Sequence, residues 1–111
     1  MSTEKVRYDS ESDLLSVYKP DSKIKREVDV GDMVIQFNRE NKVVGFEMLN
    51  ASDFLILQDE SIDKREFLKS IKSADMSIQY TENAIQIVAW IQSNTSETSA
   101  MISSQGPSVT A

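Results

Sequence analysis

The stretch Ile24-Lys25-Arg26-Glu27-Val28-Asp29-Val30-Gly31-Asp32-Met33-Val34-Ile35-Gln36-Phe37-Asn38 decides the fold. Ile24, Arg26, Val28 and Val30 alternate with Lys25, Glu27 and Asp29, which is the two-residue period of a one-sided strand. Gly31-Asp32 turns the chain, and Met33, Ile35 and Phe37 then alternate with Val34, Gln36 and Asn38. Runs this close in sequence pair antiparallel, because parallel pairing needs a long crossover.

Working outward, Arg39 to Lys42 makes a short hairpin connection and Val43 to Leu49 returns as a strand. Upstream, Val6 and Tyr8 alternate with charged residues, Asp9 to Asp13 is a polar turn, and Leu14 to Lys19 is a strand stopped by Pro20-Asp21-Ser22. Downstream, Ser52 or Asp53 caps a short turn through Leu57. Asp63 with Glu66 then forms a capping-box pattern, and Ile62 with Phe67 a hydrophobic staple. The helix that follows carries Phe67, Leu68 and Ile71 on one face, with Lys69 and Lys72 near its C-terminus, where cations suit the dipole.

After Asp75 the period returns to two. Met76, Ile78 and Tyr80 share a face, Thr81 to Asn83 turns, and Ile85, Ile87, Ala89 and Ile91 oppose Val88 and Trp90. A strand apolar on both faces is covered on both faces, here by the helix or by another copy of the chain. From Ser93 the chain is rich in Ser and Thr and reads as a disordered tail. The expected class is therefore α+β: a small antiparallel β-sheet of about five short strands, a helix and a C-terminal β-hairpin. A single domain over residues 1–92 precedes a tail over 93–111. The expected core is Tyr8, Leu15, Val17, Val28, Met33, Ile35, Phe37, Phe46, Met48, Phe67, Leu68, Ile71, Ile85 and Ile87.

Composition narrows function. The chain has 111 residues, 27% of them charged, and a net charge of -6. A phosphate-backbone binder needs surplus Lys and Arg, so no nucleic acid is expected as partner, and an anionic membrane is disfavoured in the same way. A basic protein partner suits the acidic surface. With no Cys, disulfides, thiol catalysis and thiolate metal sites are excluded together; with no His, the commonest general base is missing too. The first residues show no signal peptide and no apolar run approaches a membrane span, so a cytoplasmic location is expected.

Tyr8-Asp9-Ser10-Glu11-Ser12-Asp13-Leu14-Leu15 and Val43-Val44-Gly45-Phe46-Glu47-Met48-Leu49-Asn50-Ala51-Ser52 together resemble a small prokaryotic family known as domain of unknown function 2283. Tyr8, Asp9, Glu11, Asp13 and Leu14 match its opening, and Gly45 to Ser52 its second strand; the resemblance spans about Lys5 to Asp53. It implies a small antiparallel sheet followed by a short helix, and no established activity. Some members look like companions of small toxin-like proteins.

Five features are weighed as candidate sites. Asp9, Glu11 and Asp13 have the spacing that opens a Ca²⁺ loop, but Leu14 and Pro20 stand where that loop needs Gly and Glu. The competing reading is a turn whose Asp side chains bond backbone N–H groups. Glu47 lies among apolar neighbours, so it is an acid–base group, a structural partner of Arg7, Arg26 or Lys42, or part of an edge exposed to water. Gly45 marks a close approach, with Tyr8 or Tyr18 lying over it. Asn50 ends its strand. Asn50-Ala51-Ser52 and Asn94-Thr95-Ser96 match the glycosylation sequon, by chance in a chain read as cytoplasmic. Trp90 and Val88 form either an interface or part of a core strand.

The leading expectation is a non-enzymatic protein-binding module that forms a homodimer and uses no cofactor, in its sharpest form an antitoxin-like protein with a basic partner. The alternatives are a small metal-dependent hydrolase built on the clustered carboxylates, and a structural or assembly protein.

Overall fold

The computed structural model describes residues 4–94 and 100–107. Strands β1 (Lys5–Asp9), β2 (Leu14–Tyr18), β3 (Arg26–Val30), β4 (Met33–Phe37) and β5 (Val43–Met48) form one antiparallel sheet in the order β1-β2-β5-β4-β3. These are the five strands expected from the alternation. Asp13, Gly31 and Asn41 take positive φ in the connecting turns, a conformation that Gly, Asn and Asp adopt most readily. Leu15, Val17, Met33, Ile35, Phe37, Phe46 and Met48 are buried on the inner face. The register shifts between Gln36 and Phe37, which pair with Gly45 and Val43. The extra residue, Val44, is buried as well as Val43, the local consequence of a bulge.

The rest of the chain differs from expectation. After α1 (Ala51–Phe54), β6 (Ile56–Leu57) and α2 (Lys64–Lys69), the long hairpin of β7 (Ile71–Tyr80) and β8 (Ala84–Ser93) leaves the first sheet. It builds a second sheet, β6-β9-β8-β7, with β9 (Ala100–Pro107). Residues 100–107, assigned from composition to a disordered tail, thus form a strand paired with β8. Ladder hydrogen bonds are made by the backbone whatever the side chains, and Ala100 and Ile102 are buried in the core. The remaining tail residues, 95–99 and 108–111, lie outside the described residues. Among the described residues helix is confined to two short segments, and α2 buries just Phe67 and Leu68. The molecule is therefore mostly antiparallel sheet rather than α+β.

Both sheets contribute to one core that runs from Leu15 to Ile102 and includes Phe46, Phe67 and Ile87. Tyr8, Val28 and Ile71, expected inside it, are half-buried at its margin. At one seam the sheets meet edge to edge. The Glu4 N–H donates to Ala74 O, and the Glu4 side chain accepts from Met76 N–H. Across the molecule, Tyr80 OH accepts from Val43 N–H at 2.9 Å, which ties the end of β7 to the start of β5.

Candidate functional site

The two signature blocks converge on Asp13. It ends the β1–β2 turn at φ 55 and is 4% exposed. Oδ1 accepts from Tyr8 OH at 2.6 Å and from Ser52 N–H at 3.2 Å, while Oδ2 accepts from the Ser52 hydroxyl at 2.6 Å. Asp13 O also accepts from Ala51 N–H. These bonds satisfy first-turn donors of α1, whose own N-cap, Asn50, makes no side-chain cap. The cap is delivered from another element 39 residues away. Ser52, expected to start the helix, thus lies inside it as a donor. Arg65 from α2 completes the cluster, 3.5 Å from Asp13 Oδ2 and donating to Ser10 O.

Burial pushes the Asp13 carboxyl up, but the bonds from the Ser52 hydroxyl, Tyr8 and the Ser52 N–H, with the Arg65 charge, outweigh it and hold it below the usual carboxylate range. Tyr8 moves the other way. Burial, then its bond to Asp13 and that residue's charge, push its hydroxyl up to about 12. The pair therefore stays an anion facing a neutral phenol across neutral pH, which is structural rather than acid–base chemistry. Asp9 and Glu11 are exposed, and Asp9 Oδ1 accepts from Glu11 N–H in a local turn. Among the described residues no group of three or more carboxylates is placed to hold an ion.

Glu47 lies on the open face of the first sheet, directly across from Ser16 and Val34. Its neighbour is Gln36, whose Nε2 donates to Glu27 Oε2 at 3.2 Å and to Glu47 Oε1 at 3.4 Å. The basic residues suggested for Glu47 are engaged elsewhere in two cases. Arg26 donates to Asn41 Oδ1 and covers the Phe37 ring, and Lys42 covers the Tyr80 ring. Gly45 sits between Tyr18 and Gln36 in the same face. A Cβ there would lie 2.7 Å from Gln36 Oε1, 2.7 Å from Tyr18 Cβ and 2.9 Å from Val17 O. Tyr18, not Tyr8, makes the close approach.

The third feature lies on the outer face of the second sheet. Ile85, Ile87, Ala89 and Ile91 are buried, while Val88 is half-buried and Trp90 is 51% exposed. Ile56, Met101 and Trp90 are paired directly across three strands, and Ile56 is 56% exposed. Directly opposed residues share a face, so these side chains form an apolar row. Asp75 pairs directly with Trp90 and continues the row onto β7 as an exposed carboxylate; Ser73, Ser77, Gln79, Gln86 and Gln92 stand around it, and the exposed Lys72 lies at the β7 bulge. The sequence reading found Trp90 but missed Ile56 and Met101, because the β6–β9 pairing is invisible to local periodicity.

What these elements define is a small, mostly antiparallel β-protein that carries an apolar row on the outer face of its second sheet. The chain belongs to the family described as "Protein of unknown function (DUF2283)", whose model matches residues 5–52. That block spans the first sheet and ends at Ser52, so it contains both ends of the Asp13 link. The chain is also 35% identical over 83 residues to "Uncharacterized protein MJ0789" of Methanocaldococcus jannaschii, across 75% of this chain and 67% of that one. No solved structure matches the chain.

Proposed function

We propose that this protein is a non-enzymatic binding module that assembles as a homodimer through the outer face of its second sheet. The observation that carries the reading is the Ile56–Met101–Trp90 row, in which Ile56 and Trp90 are exposed and Met101 between them is half-buried. Interface cores are enriched in Trp and Met and depleted of charge, and Trp is the residue most often found as an energetic anchor. A second copy suits this face on electrostatic grounds. A chain with net charge -6 repels itself, and the residues that β7 and β8 turn outward here are neutral Ser and Gln apart from Asp75, directly across from Trp90. Sedimentation equilibrium of the full chain and of Trp90→Ser tests the proposal. The wild type is expected to be dimeric and the variant monomeric with unchanged circular dichroism. A monomeric wild type, or a variant that stays dimeric, overturns it.

A second surface favours a protein partner as well. The end of the first sheet formed by the β1–β2 and β3–β4 turns and α1 carries Asp9, Glu11, Asp29, Asp32 and Asp53, and segments 9–14, 29–34 and 47–54 contain no Lys or Arg. This end suits a basic protein, the antitoxin-like form of the proposal. Such a complex would weaken steeply with salt. A partner recovered from native lysate that stays bound in molar salt would count against it.

A further inference from the structure

The strands of the first sheet separate charge along their length. The acidic turns lie at one end. At the other, the β2–β3 loop and the β4–β5 turn bring together Lys19, Lys23, Lys25 and Arg39, against Asp21 and Glu40. Arg26 and Lys42, also at this end, are spent on aromatic rings, with Arg26 bonded to Asn41 as well. The other four cations make no ion pair with any described residue. Three of them, Lys23, Lys25 and Arg39, line an open cavity of about 580 Å³ together with Asp21, Ser22, Ile24, Asn38, Glu40 and Val44.

The lining chemistry is specific. Asn38 Oδ1 accepts from Glu40 N–H and Lys42 N–H, which fixes the amide, and its NH₂ has no acceptor among the described residues. The Ser22 hydroxyl is a further donor. Ile24 is 50% exposed in the wall, beside Val44. Lys23, Lys25 and Arg39 outnumber Asp21 and Glu40 in the lining and form no ion pair with them, so an anion placed among the three cations relieves their mutual repulsion. A phosphate group matches the set, because Arg and Lys donate to its oxygens in charge-assisted hydrogen bonds. An extended nucleic acid does not, since it needs a continuous basic stripe and most of this surface is acidic. The volume is in the range of small-molecule sites.

We infer that this cavity binds a phosphorylated small molecule, with the phosphate among Lys23, Lys25 and Arg39 and its less polar part against Ile24. Calorimetric titration at constant ionic strength tests this with inorganic phosphate and phenyl phosphate as probes. Both should bind saturably and raise the melting temperature, and phenyl phosphate should bind more tightly because its ring covers Ile24. The variant Lys23→Gln/Lys25→Gln/Arg39→Gln should lose about tenfold or more for both. Lys5→Gln/Lys64→Gln/Lys72→Gln removes the same charge outside the cavity and should bind within about twofold of wild type. Ile24→Ser should weaken phenyl phosphate alone. Absence of binding to wild type, or equal loss in the two triple variants, overturns the site. Equal affinity for the two probes overturns the role of Ile24.

Discussion

Asp13 and Ser52 are joined twice over: the Ser52 hydroxyl and N–H both donate to one carboxylate, at 2.6 and 3.2 Å. The link fastens the first turn of α1 to the β1–β2 hairpin. It joins the polar turn to the residues after β5, so the first-turn donors of α1 are satisfied from the far end of the segment that the family model matches.

Asp13→Asn keeps the shape and the left-handed backbone but removes the charge. It is expected to lower stability by about 2–3 kcal/mol, and Ser52→Ala by about 1–2 kcal/mol. Because the residues share their bonds, the double variant should lose less than the sum. Urea unfolding of the four proteins measures this; strict additivity would show that the two side chains act independently.

Stability should fall at both pH extremes for separate reasons. The Asp13 carboxyl is lowered in the folded state, so its contribution is present above the ordinary carboxylate value and lost as pH drops through the folded one. Tyr8 is raised from 10.0 to about 12, so its contribution is complete below pH 10 and lost as pH climbs towards 12. Asp13→Asn should flatten the acid limb and Tyr8→Phe the alkaline limb, as read by melting temperature against pH.

Gly45→Ala should destabilise the fold by about 1–3 kcal/mol, the range for forced overpacking. The added Cβ meets the Val17 carbonyl and Tyr18 Cβ, neither of which can swing away, as well as Gln36 Oε1. Trimming Gln36 to Ser should therefore fail to restore stability. Full rescue in Gly45→Ala/Gln36→Ser would place the whole clash on the glutamine.

The first sheet was legible in the sequence because Ile24 to Phe37 repeats at period two on either side of Gly31-Asp32, and each strand is bounded by Asn, Asp, Gly or Pro. The second sheet was not, because β6 has two residues and pairs with β9 more than forty positions away. The composition of 100–107 hid a strand that its backbone makes with β8. At the site, the spacing of Asp9, Glu11 and Asp13 suggested a shared ion. Asp9 and Glu11 stay exposed in a local turn, and Asp13 turns inward to Tyr8, Ser52 and Arg65. Nothing local marks Arg65 as its partner, since α2 approaches through tertiary packing.

The chain has one Trp, so fluorescence reports the proposed dimer face directly. At high dilution Trp90 emission should lie to the red, as for an indole half in water, and move to the blue as concentration rises. Ile56→Ser, which thins the same row, should shift that transition to higher concentration. An emission maximum that does not change with dilution would place the contact elsewhere.

Glu4 occupies the flank of a ten-residue strand and engages both Ala74 and Met76. A long strand with a bare flank is a template for runaway stacking of chain upon chain, the geometry of fibrils. Glu4, with β1 beside it, thus shields the middle of that flank from a second chain.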